Sequence, residues 1–427
     1  MTLLIKARAL AGRHVLCVLA AGAGLGGGLV QAADSRLLLD EAIERALAEA
    51  PQLTASRAYV EAASQSAASA GRLPDPELIV GVDNLPVTTA DRFSLNRDFM
   101  TMRKVGVMQS VPSRASRRVQ SELAHQEVSL AEAQLRAQQF EIALSAAQAW
   151  INHAVARQSL QRLRALRGDL AIQSGAARAA LLGGRSGATE AIVSESVLAG
   201  LEARIFDFEQ QAAVARAELG RWVGEVPAEV PPELPWRQQF DQPETSTIDV
   251  LGDAPLAPTE PEVALARSRV ALARAGKRPD WSTELSYANR GPGYSDMVSL
   301  QFRVALPMFS RTRQDPEIAA RLAEARGREA AREEAIREHH AHVQAAMAVR
   351  NSGQTRLAHY ESVLLPLAED RMRVATASYG AGQGELREVL EALDSQADLS
   401  LQFTQRAGEV TRAGVYLQLL GTHGDSQ

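Results

Sequence analysis

The chain has 427 residues, 46 basic and 51 acidic side chains, a net charge near −5, 46% apolar residues and only 4% aromatic residues. A balance this close gives no electrostatic reason to expect nucleic acid as a partner. So few large aromatic side chains argue against a compact catalyst and for long helices packed through alanine.

Lys6, Arg8 and Arg13 precede an apolar, glycine-rich run over residues 15–30, and Val30-Gln31-Ala32 offers small-residue cleavage. This is the layout of an export signal over residues 1–33. At about 16 residues the run is short of the ~20 a transmembrane helix needs. Cys17 is the only cysteine, and it falls within this segment. The mature chain is therefore expected to have neither disulfides nor thiolate metal sites. Leu16 stands where a small residue should precede a lipidated cysteine. No later stretch is long and apolar enough for a membrane helix, so entry into a membrane would have to be by strands.

The rest is one unit written twice, residues 34–226 and 261–421, with a connector over 227–260 and a tail over 422–427. Pro51 and Pro261 each open an alanine-rich helical stretch, ending at Gly71-Arg72-Leu73-Pro74-Asp75 and Gly276-Lys277-Arg278-Pro279-Asp280. Two strand-like runs follow in each half, about 77–85 and 103–111, then about 281–289 and 297–306. Each second strand stops at a proline, Pro112 or Pro307. Val298, Leu300, Phe302, Val304 and Leu306 alternate with Ser299, Gln301, Arg303 and Ala305. Such alternation suits a membrane barrel strand or a half-buried soluble sheet. Four strands cannot close a barrel, for which about eight is the practical minimum, so several copies must pool their strands.

A long helical stretch follows each strand pair. Residues 113–182 contain no proline, and their roughly 70 residues would reach about 100 Å. The counterpart from about 317 to 379 is interrupted by Pro366, a kink or local break. Glycine-rich breaks follow at Leu182-Gly183-Gly184-Arg185 and Tyr379-Gly380-Ala381-Gly382, and a last helix closes each half near Val223 and Leu420. The proline-rich, acidic connector is either a flexible linker or a wrap around the waist.

This plan resembles the TolC family of outer-membrane efflux ducts over essentially the whole mature chain. The Tyr379-Gly380-Ala381-Gly382 turn and the Glu388-Val389-Leu390-Glu391-Ala392 run carry the likeness. Leu73-Pro74-Asp75-Pro76-Glu77-Leu78, Asp83-Asn84-Leu85-Pro86 and Asp98-Phe99-Met100-Thr101-Met102 resemble its heavy-metal-resistance branch, the cobalt-zinc-cadmium and copper-silver RND systems. The resemblance implies a mainly α fold with a membrane β-barrel segment. In it, a homotrimer sets a 12-stranded barrel in outer-membrane lipid above a periplasmic α-helical barrel. It implies a passive exit duct for metal cations, partnered by a periplasmic adaptor and an inner-membrane RND pump. The same duct serving drug efflux or type I secretion is the alternative. A periplasmic adaptor is the rival of another class.

The resemblance also implies roles for residues. Glu190 and Tyr379 match the acid and tyrosine of an entrance latch; the arginine position falls on Gly384, and Arg387, one helical turn on, is the substitute. Glu388 and Glu391 share a helix face and match an acidic entrance ring, which would attract cations. Gly183, Gly184, Gly380 and Gly382 form the hairpin-tip turns that an adaptor would contact. From spacing alone, His339 and His342 are candidate metal ligands at i and i+3; solvated helix histidines are the other reading. Met100, Met102 and Met108 share one parity near the expected outer mouth. No Walker loop, nucleophile elbow or His-Glu-x-x-His occurs, so neither enzymatic activity nor a cofactor is expected.

Overall fold

The computed structural model describes residues 37–88, 90–183, 188–226, 233–237 and 253–421; the expected export signal and the tail 422–427 lie outside them. Helix α1 (Leu39–Glu49), which sequence reading did not separate, buries Leu39, Ala42 and Ala46 along one face. Ala50 is extended at φ −63° and ψ 116° because Pro51 follows it. Pro51 then starts α2 (Pro51–Ser69), where a missing N–H costs the helix nothing.

The four strands form where alternation placed them: β1 (Glu77–Asp83), β2 (Met102–Val111), β3 (Asp280–Asn289) and β4 (Met297–Ala305). They make one antiparallel sheet in the order β1-β2-β3-β4. Its register keeps each face uniform. Val80 lies opposite Val105, Val105 opposite Tyr287, and Tyr287 opposite Val298; one step along, Leu78, Val107, Leu285 and Leu300 line up. The other face carries Ile79, Gly81, Lys104, Gly106, Glu284, Ser286, Ser299, Gln301 and Arg303.

Helix α3 (Arg114–Leu182) runs unbroken for 69 residues, about 100 Å at 1.5 Å per residue. It is followed by α4 (Ala188–Val223), α5 (Thr259–Ala275) and α6 (Gln314–His359). Pro316 is tolerated in α6 because it falls in the first turn. The break expected at Pro366 is a π-turn, Tyr360–Leu364, in which the Leu365 N–H reaches back to the Tyr360 carbonyl. Helices α7 (Leu365–Gly380) and α8 (Leu386–Gly421) complete the chain.

Helix order repeats strand order. Near the sheet, α2 packs on α3, α3 on α5 and α5 on α6. These are the helices entering β1, leaving β2, entering β3 and leaving β4. Away from the sheet, α4 packs on α3, α3 on α8 and α8 on α7. Both layers are walls with two free ends. Where they overlap, Trp150, Ile151, Ala154, Leu219, Leu357, Ala407 and Val410 form the main core with α1. The Trp150 indole donates to the Leu37 carbonyl at 2.8 Å. Two glycines permit the closest helix approaches. A Cβ on Gly408 would lie 2.6 Å from Val155 Cγ2, and one on Gly353 would lie 2.3 Å from Val410 Cγ2.

Candidate functional site

The sheet exposes its apolar face rather than covering it. Leu78, Val80, Leu285, Val298, Leu300, Phe302 and Val304 are all more than half exposed. Among the described residues no helix lies over them, and a continuous apolar surface of this kind marks contact with protein or lipid. The opposite face is polar and organised. Glu284 is 1% exposed there, with Lys104 Nζ 2.8 Å from one carboxylate oxygen and Arg303 donating to the other at 2.6 Å. Lys104 reaches down across Gly106, where a Cβ would stand 2.7 Å from the Ser286 Cβ. Sequence reading missed this cluster. Its one available signal was the rarity of lysine, since Lys104 is one of three in the chain. Met102 sits at the loop end of β2, whereas Met108 pairs with Glu77 and Glu284 six residues along. At about 3.3 Å per residue that is ~20 Å away, so the methionines do not converge.

At the far end of the helices, Gly183 closes α3 with its N–H on the Ala179 carbonyl, and Gly184 lies outside the described residues. The second turn is complete. Gly380 ends α7, Gly382 takes φ +71°, and the N–H groups of Gln383 and Gly384 both reach the Ser378 carbonyl. Gly384 is needed there, because a Cβ would meet Ser378 Cβ at 3.0 Å.

Of the expected latch residues, Tyr379 and Arg387 take separate surroundings within one chain. Tyr379 packs against the cluster containing Leu163, Leu170, Leu386 and Leu390. Glu190 falls in the first turn of α4; its side chain is outside the described set. Arg387 is exposed, 3.8 Å from Glu385 and 3.9 Å from Glu391. Among the described residues no hydrogen bond joins it to Tyr379. Glu388 and Glu391 are both exposed, opposite the buried Leu386, Val389, Leu390 and Leu393. Further along α8, Asp394 and Asp398 are both held by Arg204 of α4, at 3.0 and 2.5 Å. The acidic stripe is thus partly neutralised by a clamp between the two repeats.

The paired-histidine expectation meets a different geometry. His339 is buried, and its Nε2 lies 2.6 Å from Asp253 Oδ2. His342 is exposed. The two imidazoles do not converge, because the buried face of α6 runs through Val343 and His339 and leaves His342 outside it. Among the described residues no group of three histidine, cysteine or acidic side chains is placed to hold a metal. His339 instead fastens the end of the connector to α6.

No protein-family model and no curated protein matches the sequence. Solved structures do match in three dimensions. CusC, whose structures concern folding and transmembrane channel formation, aligns at 18% identity over 89% of this chain and 90% of that chain, with a TM-score of 0.76. The Campylobacter jejuni CmeC outer membrane channel aligns at 13% identity over 91% and 87%, with a TM-score of 0.78. The Vibrio cholerae outer membrane protein VceC aligns at 18% identity over 90% and 96%, with a TM-score of 0.75. At such low identity the likeness establishes the fold. The chain has the TolC-like architecture expected of it, long helical hairpins joined to a four-stranded antiparallel sheet.

Proposed function

We propose that this protein is an outer-membrane exit duct of a tripartite efflux system, a conduit without turnover of its own, and that its cargo is heavy-metal cations. The observation that carries the reading is the four-stranded sheet with an exposed apolar face, an organised polar face and two unpaired edges, continuous with a helical wall equally open at both ends. An unpaired strand edge is not tolerated in lipid, so β1 and β4 must find strands of other copies. Three copies make twelve strands, with the apolar face in lipid and the Lys104–Glu284–Arg303 face lining the channel. The same step pairs the free α2 and α6 edges into a periplasmic helical barrel. The related fold of two outer-membrane proteins and of CusC, a transmembrane channel, supports this reading.

Residues 1–33 direct export, and residues 34–226 and 261–421 act as the two repeats, joined by 227–260. In the assembled duct, Glu388 and Glu391 from three copies form an acidic ring that concentrates cations at the entrance. Glu190, Tyr379 and Arg387 close that entrance, and the turns at Gly183, Gly184, Gly380 and Gly382 meet a periplasmic adaptor. An inner-membrane RND pump supplies the energy. Metal as cargo rests on the Leu73 to Leu78 and Asp83 to Pro86 motifs. Growth of a deletion strain and its complemented partner on Zn, Cd, Co, Ni, Cu and Ag salts, beside drugs and bile salts, tests it. Lost metal tolerance restored by the gene is expected. Unchanged metal tolerance with new drug sensitivity would keep the duct and replace its cargo.

A further inference from the structure

The first described piece of the connector, residues 233–237, lies across the break in the second repeat's long helix. The geometry points to a strap: these residues hold the π-turn at Tyr360–Leu364 and thereby restrain the swing of the α7/α8 hairpin. The effect on conduction rests on the duct reading given above; the restraint on the helix does not.

The break is a mechanically weak point for a covalent reason. Pro366 has no N–H to donate and its ring excludes the normal helical bond to the Ser362 carbonyl. The chain accommodates this with one extra residue in the turn, which replaces regular bonds by the Leu365-to-Tyr360 link. Helix α3, the counterpart in the first repeat, crosses the same region with no break in 69 residues. Only the second hairpin therefore carries a built-in pivot.

Ties to neighbouring elements converge on that pivot. Leu234 is buried in the main core beside Leu357, the last buried side chain of α6. The Trp236 carbonyl accepts a hydrogen bond from Gln354 of α6 at 3.2 Å. Its ring meets Phe403 of α8 edge-on, with centroids 6.1 Å apart and planes at 88°. The Arg237 guanidinium lies 4.8 Å from the Trp236 ring and forms an ion pair with Glu361, inside the π-turn. Tyr360, the first residue of the turn, donates to Gln402 of α8 at 2.9 Å. Behind Phe403, Arg162 of α3 stacks at 5.5 Å and donates to the Ser400 carbonyl at 2.9 Å. The strap thus joins the helix before the break, the break itself and α8 at Phe403, the level at which Arg162 of α3 also holds it. A hinge tied on one side in this way bends only when Trp236 leaves Phe403 or Arg237 leaves Glu361.

The test uses the full-length protein in planar lipid bilayers in KCl. Trp236→Ala should raise the fraction of time in the high-conductance state about threefold to tenfold, the weight of one edge-to-face aromatic contact. Arg237→Glu should raise it by less, about twofold to threefold, because the ion pair is half exposed. The swap Arg237→Glu with Glu361→Arg should restore wild-type behaviour, a rescue that a general loss of stability would not show. If wild-type protein conducts and none of these variants shifts the open fraction, the strap is refuted while the duct stands. If wild-type protein does not conduct, the duct reading falls. The strap is then judged by hydrogen exchange over residues 358–368, where unchanged exchange in Trp236→Ala refutes it.

Discussion

Leu300 and Gln301 are neighbours on β4, yet the register sends them to opposite faces: Leu300 beside Leu285, Gln301 beside Glu284. If the apolar face meets hydrocarbon, Leu300→Arg places a guanidinium near mid-membrane. The expected cost is about 2–4 kcal/mol in each copy, so roughly 6–12 kcal/mol in a three-copy barrel. Leu300 is 60% exposed in the single chain, so only its contact beside Leu285 is lost and most of the penalty comes from lipid. Gln301→Arg adds a charge beside Arg303 on the watered face and should cost within about 0.5 kcal/mol. Val298→Arg, one residue from the loop end of β4, should fall between them at about 1 kcal/mol, because the penalty fades towards the interface. The assay takes the trimer of the proposed duct, recovered from outer-membrane extracts on semi-denaturing gels, with its dissociation temperature. Loss of trimer for Leu300→Arg, normal yield for Gln301→Arg and an intermediate yield for Val298→Arg are expected. Equal tolerance of Leu300→Arg and Gln301→Arg, or the reverse order, would refute the lipid-facing assignment.

The remaining expectations concern the helices. His153 is 3% exposed and burial, followed by the charges of Arg157 and Arg216, pushes its pKa down to about 4. The unfolded chain, with an ordinary histidine near 6.5, takes up a proton first as pH falls, so the stability held above about pH 6.5 is lost progressively towards pH 4. The loss amounts to roughly 3 kcal/mol at its limit. Denaturation across that range should show a slope that His153→Gln flattens. Gly353→Ala drives a methyl group into Val410 and should cost about 1–3 kcal/mol of stability by overpacking, seen as a lowered Tm. Glu388→Gln together with Glu391→Gln should remove block of the channel by multivalent cations in bilayer recordings; retained block would place the entrance ring elsewhere.

Elements were legible wherever covalent chemistry punctuates the chain. Pro51 and Pro112 start or end elements where they stand, Pro307 follows the end of β4 by two residues, and alternation in residues 298–306 marked a strand with one apolar face while leaving open whether that face is covered. Helix α1 was missed because only Ala50 separates it from α2, so Pro51 was read as the start of helical structure rather than as a joint. Site residues were legible as types but not as partners. Spacing put His339 and His342 on nearby positions of α6. It contained nothing about Asp253, which is 86 residues away. In the same way nothing near Asp394 and Asp398 in the sequence points to Arg204, about 190 residues away, which occupies both. Long-range pairs are set by how the two repeats pack, and neither repeat encodes that packing within itself.

The two halves share an element order and yet are held unequally. Each supplies one helix entering the sheet, two strands and one helix leaving it, and this common plan makes the helix order copy the strand order. The copies diverge where the leaving helix passes the waist. In the first repeat α3 continues with alanine and aliphatic side chains and lends its face to α1, α4 and α8, so its path is held on several sides. In the second, α6 buries few residues, among them His339, Val343, Arg350 and Leu357, and then breaks. A helix held so lightly needs outside support where its own bonds fail, and the support comes from the connector, which belongs to neither repeat. Among the described residues that support is residues 233–237, which reach Gln354 before the break, Glu361 inside it and Phe403 of α8.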